Sequence, residues 1–532
     1  MNLIGNINAI PFRRFRGGGG VAPFPSIPGM IARYSALGLT NEQMAANPVW
    51  VDKTGNGHDL QLKNFSWKGM SGVGGYGDEN HQTFYKFTLD DYVFIATPPG
   101  VKHMNFTFRV TGLQPGNKLT LAFFGTMNTV YGTWNKDGIY TVDADIVEVG
   151  RPTYFYNGYG ATRGEFTIEI LPLYPGALVF DGVDDYGVCD NFPILTKEKG
   201  YTVVVLRQWI EEKNDSTALV SNCKNWNQDG AFLFEYNNLR INFLNVAISF
   251  GHVSSVDRGK SPFSYQTSKL YNGKNIKPGS FIGSNELVVG KGNKDFPTVS
   301  NAAIWEIVIL DHDATEEELT KIKDYFVKTY PWLFPDQAWT VVGKTNEDED
   351  RATIANITGN GNNLVLSNFG FAEGSGYNEE GEYASYLVTD GVDDKIVSSV
   401  FGMGKDFTIV GDWKFIDNKK SGTGLVKGSS FYIYNTMTGL DLYINSGSVT
   451  NRFDGIKSIN AACSDGRVYD PNWDEILANT GNVVGSGGTL EVSSSGGRFD
   501  RIAFKNFAIY PRILSKDDCI KAYNYLQTLK AK

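Results

Sequence analysis

The chain has 532 residues and a net charge of −9, with 13% aromatic residues, 60 glycines and 27 tyrosines. Single cores stop growing at about 250–300 residues, so this length calls for several domains. Spread-out negative charge excludes a polyanion-binding face of the kind nucleic acid needs, and so many glycines and aromatics point to short strands and tight turns, an all-β chain.

Residues 1–28 read as a flexible N-terminal arm, rich in glycine at Gly17–Gly20 and in proline thereafter. Arginines stand where a secretory signal needs an unbroken apolar run, so export by such a signal is not expected. Arg13, Arg14, Phe15 and Arg16, next to Leu3, Ile4, Ile7, Ile10 and Phe12, suit a peptide that orders only in a partner's groove. The expectation is an anchor; the alternative is a frayed terminus.

From residue 29 onward the chain repeats itself. Thr54-Gly-Asn-Gly opens a 14-residue segment that matches the segment opened by Thr358-Gly-Asn-Gly at 8 positions. Phe180-Asp-Gly-Val-Asp-Asp185 likewise matches Thr389-Asp-Gly-Val-Asp-Asp394, and Ile304–Ile309 and Phe504–Ile509 each lead into an amphipathic helix starting at Thr315 or Ser515. The first pair is offset by 304 residues and the second by 209, so the first copy carries 95 extra residues between its motifs. This extra stretch alternates apolar and polar residues over 106–110, 119–123 and 166–170, as strands with one wet face do. The expected plan is a first sandwich over 29–75 and 176–334, an inserted small β-sandwich over 76–175, and a second sandwich over 335–532, joined at Pro331 and Pro335 where a helix cannot continue.

At the Asp-Gly-Val-Asp-Asp motifs and the terminal strand–helix pairs, the sequence resembles the laminin-G/concanavalin A-like superfamily, which implies two jelly rolls of paired antiparallel sheets, each ending in a short helix. The stretch from Ile31 through Asn47-Pro48, Asp52–His58 and Met70–Gly75 looks like proteins of crAss-like phages and prophages of gut bacteria. The resemblance implies a virion fibre or appendage protein, made in the host cytoplasm and displayed on the virion surface, contacting other virion proteins through the arm and host cell-surface glycans through its sandwiches. Glycan adhesion without catalysis is the expectation. The rivals are a purely structural decoration protein and a polysaccharide depolymerase. Homo-oligomerisation is expected because weak sugar sites gain avidity from multiple copies.

The candidate binders are loop-like segments mixing aromatic rings with amides and carboxylates: Trp134, Asn135 and Asp137; Tyr154, Tyr156 and Asn157; Trp226 and Asn227. Rings stack on sugar C–H groups while the polar groups take hydroxyls, although each ring serves a core equally well. Asp181, Asp184 and Asp185, with Asp390, Asp393 and Asp394, can offer oxygens to calcium or wire an Asx-type turn. Otherwise no cofactor is expected. The Thr-Gly-Asn-Gly turns lack the Gly-Lys-Ser/Thr ending of a phosphate loop. A depolymerase would need paired carboxylates, and the nearest approaches, Asp143 with Glu148 and Glu165 with Glu169, both fall in the insert. No Gly-x-Ser-x-Gly nucleophile turn and no zinc-type histidine spacing occurs, and Cys189, Cys223, Cys463 and Cys519 read as buried thiols. No stretch is apolar enough for long enough to insert into a membrane.

Overall fold

The computed structural model describes residues 23–76, 84–87, 92–95, 103–123, 129–145, 153–157, 166–211, 217–223, 230–235, 261–275, 283–381, 383–416, 424–427, 430–435, 439–445, 447–448, 453–454, 458–481, 487–495 and 498–531. The chain is all-β, with 43% of the described residues in strands and 9% in helices.

The organising element of the first sandwich is strand Asn301–Leu310, which pairs antiparallel with Met30–Ser35, Leu178–Asp181 and Thr202–Glu211. Its alternating residues serve two cores. Ala302, Ile304, Ile307 and Ile309 face an inner core shared with Trp50, Leu60 and Val289 of a second sheet. Ala303, Trp305, Val308 and Leu310 face outward onto helix packing. A strand covered on both faces reads as a continuous apolar run, as this one does. Leu60–Lys63 in the second sheet is wet on one face and alternates buried with exposed, the period-2 pattern.

The second sandwich repeats this wiring strand for strand. Ile502–Tyr510 pairs with Gln337–Thr340, Leu387–Val388 and Thr408–Phe415. Its second sheet runs through Thr353–Ile354, Leu364–Ser367, Lys395–Ser398 and Leu490–Val492. Both copies carry a bulge at the same place, between Leu206 and Arg207 and between Asp412 and Trp413. The residue left over on the partner strand, Trp305 or Lys505, is turned to the outer face.

The described residues of the insert form two four-stranded sheets. One contains Phe84–Phe87, His103–Thr111, Gly138–Asp145 and Phe166–Ile170, the other Tyr92–Ile95, Leu119–Phe123, Thr129–Trp134 and Thr153–Asn157. They enclose a core of Phe108, Leu121, Tyr140, Phe155 and Ile168.

Three helices are described: α1 (Asn41–Ala46), α2 (Glu316–Thr329) and α3 (Lys516–Gln527). None is long and apolar enough to cross a membrane. Thr315 caps α2 in a reciprocal box, its hydroxyl accepting the Glu318 N–H at 3.3 Å and Glu318 accepting the Thr315 N–H at 2.8 Å. Ser515 caps α3 through the Asp518 N–H at 3.1 Å, but the shorter Asp518 carboxylate accepts the Ser515 hydroxyl instead of closing the box. Thr315→Ala is expected to cost about 1 kcal/mol in urea unfolding; no change would mean that tertiary contacts alone hold the helix end.

The outer faces of the two large sheets meet over α2, α3 and the joint between the copies. Ile322, Tyr325 and Phe326 of α2, Trp332 and Leu333 of the joint, and Ile520, Tyr523 and Leu526 of α3 fall in one apolar cluster, which Ile139 of the insert also enters. Residues 23–28 belong here as well, which corrects the expectation of a free arm up to residue 28. Ile27 is buried in the cluster, and Phe24 packs edge-on against Tyr325 at 4.8 Å beneath the Arg33 guanidinium. Residues 1–22, including Arg13, Arg14, Phe15 and Arg16, lie outside the described residues. All four cysteines are buried thiols.

Candidate functional site

The two Asp-Gly-Val-Asp-Asp segments form the same turn in both copies. The Asp181 carboxylate accepts the Val183 N–H and Asp390 the Val392 N–H, each at 2.7 Å. The last acid of each turn reaches back: Asp185 accepts the Asp181 N–H at 3.1 Å and Asp394 the Asp390 N–H at 2.8 Å. Gly182 sits at φ +74°, with Asn301 Cβ only 2.6 Å from where its own Cβ would be, so both conformation and space require glycine. Sequence reading missed the partners of these turns. Ser71 and Ser375 donate their hydroxyls to Asp185 and Asp394, and the amides of Asn64 and Asn368 donate to the carbonyls of Asp184 and Asp393. The 14-residue repeat displayed both asparagines; what it could not display is that they reach the aspartate turn, 120 residues away in the first copy and 25 in the second.

Within each turn the three aspartates offer carboxylate oxygens within 4.8 Å of one another. Three oxygens fall short of the six to eight that calcium takes, and both oxygens of Asp185 are already bonded, to Ser71 and to the Asp181 N–H. These residues are thus wired as Asx-type turns, whose carboxylate oxygens a cation would have to share. Burial, reinforced by neighbouring carboxylates, pushes Asp185 up to about 7 and Asp394 up to about 6.

The other candidates scatter. Trp134 is partly buried against the core of the insert, its ring T-shaped to Phe108 at 4.9 Å and beside Tyr140 at 5.5 Å. Asn135 is exposed. Asp137 accepts the N–H groups of Gly112 and Leu113 at 2.9 and 2.7 Å, tying two turns of the insert together. Tyr154, Tyr156 and Asn157 lie on strand Thr153–Asn157, between Tyr92–Ile95 and Leu119–Phe123. Trp226 and Asn227 fall outside the described residues, as do Glu148 and Glu165. Glu169 is ion-paired with Arg109 at 2.7 Å.

One cleft does gather chemistry. Where the insert meets the second sandwich, a cavity of about 310 Å³ is lined by Arg109, Asp137, Asn472, Trp473, Asp474 and Lys516, among others. The second sandwich reaches it with a hairpin longer than its counterpart, which in the first sandwich turns at Asn272-Gly273. Asp470 organises this hairpin by accepting the N–H groups of Asn472 and Asp474 at 2.9 and 2.8 Å. Asp474 is ion-paired with Lys136 of the insert. Trp473 is held at φ +60°, a rare conformation for a bulky residue. Its ring is buried edge-on to Tyr523, while its indole N–H has no acceptor among the described residues. Asp137 is the one predicted residue in this cleft; the signal for the rest, an enlarged hairpin in one copy, emerges only when the copies are aligned strand by strand.

No family model matches the sequence, and no curated protein matches it. Among solved structures the chain is similar to Trypanosoma rangeli sialidase in complex with 2,3-difluorosialic acid, at 10% identity and a TM-score of 0.22, covering 42% of this chain and 40% of that one. It is also similar to the same sialidase with sialic acid, at 10% identity and a TM-score of 0.23 over 73% and 68% of the chains. A third is the binding domain of botulinum neurotoxin DC in complex with SialylT, at 9% identity and a TM-score of 0.19 over 90% and 99%. The expectation that the chain is no enzyme is corrected by this finding, since the sialidases among these structures are enzymes. At such TM-scores none of these similarities transfers a ligand, an activity or a catalytic residue to this chain.

Proposed function

We propose that this chain is a saccharide-binding surface protein whose site is the cleft between the insert and the second sandwich. The observation that carries the reading is that Trp473, whose buried indole N–H has no acceptor among the described residues, lines the cleft together with Asn472, Asp474, Asp137 and Lys516. A buried donor left unpaired is costly, and a hydroxyl-rich ligand supplies the missing acceptor while amide, carboxylate and ammonium groups take its other hydroxyls. The sequence resemblance supplies the setting, a phage virion appendage in which the arm anchors, the two sandwiches and the insert project, and repeated copies add avidity.

A glycan array of the full chain, displayed multivalently, tests the reading. Trp473→Phe keeps a ring and removes the N–H, and is expected to weaken the sugars bound by about five- to tenfold. An array silent at every density favours the rival, a purely structural decoration protein, and ends this proposal. Undiminished incorporation into particles after deletion of residues 1–20 ends the anchor.

A further inference from the structure

A second cleft, of about 290 Å³, opens where the two sandwiches meet. Its walls include Lys323 of α2, Phe334 and Asp336 of the joint, Asn360 of the second Thr-Gly-Asn-Gly turn, and Arg512 just beyond the last strand. Arg512 is half-buried and donates one N–H to the Val327 carbonyl at 3.0 Å. A guanidinium has five donors, and no carboxylate pairs with Arg512 among the described residues. Lys323 is exposed, its ammonium 5.8 Å from the Phe263 ring centroid, and it too has no carboxylate partner among the described residues. The acid on this wall, Asp336, already accepts the Gln337 amide at 2.9 Å, and its backbone carbonyl accepts the Asn360 amide at 2.6 Å. The cleft thus holds two cations against one carboxylate that is already bonded.

Removing a guanidinium from water without a counter-ion is unfavourable. Its planar fork matches the paired oxygens of a carboxylate or phosphate. We propose that this cleft between the sandwiches binds the oxyanion of a small ligand, a carboxylate-bearing sugar or a phosphate, with Arg512 as its anchor and Lys323 as the second cation. This site is separate from the Trp473 cleft and does not depend on it.

The test is calorimetric titration of the full chain with glucuronate, inorganic phosphate and glucose at fixed ionic strength. At least one anion is expected to bind and glucose is not; which anion binds identifies the source of the oxyanion. Arg512→Gln is expected to weaken the anion by about tenfold or more, and Lys323→Gln, at an exposed position, by a smaller factor. Trp473→Phe leaves anion binding unchanged, so failure of the saccharide reading and failure of this one remain distinguishable. Absence of binding by both anions, equal binding of glucose, or full affinity in a folded Arg512→Gln protein overturns the proposal. Should Arg512→Gln not fold, unaltered affinity in Lys323→Gln overturns it instead.

Discussion

Arg207→Met is expected to destabilise the first sandwich by about 3–5 kcal/mol, because it strands a buried carboxylate. Glu235 is fully buried, and both its oxygens are in use. One accepts from Arg207 Nη2, Ser264 Oγ and Tyr271 Oη, the other from Arg207 Nε and Trp209 Nε1. Arg207 also donates to the Ser261 carbonyl at 2.6 Å. Burial alone would push the Glu235 carboxyl up; the adjacent guanidinium overcomes this and holds it below the usual carboxylate range. Without Arg207 the remaining donors face a charge that has nothing to balance it. The second sandwich shows that the pair is not demanded by the fold. At the register position of Arg207 it has Trp413, opposite Phe504 and packed edge-on against Phe415 at 5.4 Å. Two single variants, Arg207→Met and Glu235→Leu, should therefore each be more destabilising than the double variant. Urea denaturation measures all three. An Arg207→Met loss under 1 kcal/mol, or additive losses in the double variant, would falsify the argument.

Much of the architecture could be read from residues that must repeat because geometry repeats. The Thr-Gly-Asn-Gly turns need left-handed glycines at 55, 57, 359 and 361, and the Asp-Gly-Val-Asp-Asp turns need Gly182 and Gly391, so duplication preserved both as visible strings. The recurrence of Ile304–Ile309 as Phe504–Ile509 marked the central strand for the same reason. Long-range side-chain partners left weaker traces. Nothing about Glu235 announces Arg207, since the two meet across different strands and Glu235 sits in a turn at φ +52°. Trp134 looked like a loop tryptophan because Asn-Lys-Asp follows it, yet it ends a strand and its ring turns inward. Trp473 and Arg512 were invisible as site residues because each lines a cleft made only when separate modules dock, and no local period encodes docking.

The aspartate turns give the strongest pH dependence. Asp185 is fully buried and its folded pKa, about 7, lies above the unfolded value near 4. An acid raised by folding contributes stability that is complete below about pH 4 and lost as pH rises through about 7, since the folded state then binds the extra proton. About three pKa units correspond to a loss on the order of 4 kcal/mol by pH 8. Asp394, raised to about 6, adds a smaller loss of the same sign. Carboxylates held low, such as Glu235, act in the opposite direction, so the total profile hides the effect and a difference measurement isolates it. Asparagine fits the site, its carbonyl accepting the Asp181 N–H and its amide donating to Ser71 Oγ. Asp185→Asn should therefore match the parent near pH 4 and exceed its stability increasingly as pH rises to about 7, with the gap constant at pH 8, whereas Asp185→Ala should be less stable at pH 4 by about 1–3 kcal/mol for the orphaned N–H. A difference between Asp185→Asn and parent that stays flat with pH sinks the account. The same titration in millimolar calcium also decides the fate of the three carboxylates. A bound divalent cation would favour their ionised forms and turn Asp185→Asn into the less stable protein at pH 8, while an Asx turn without a cation keeps it the more stable one.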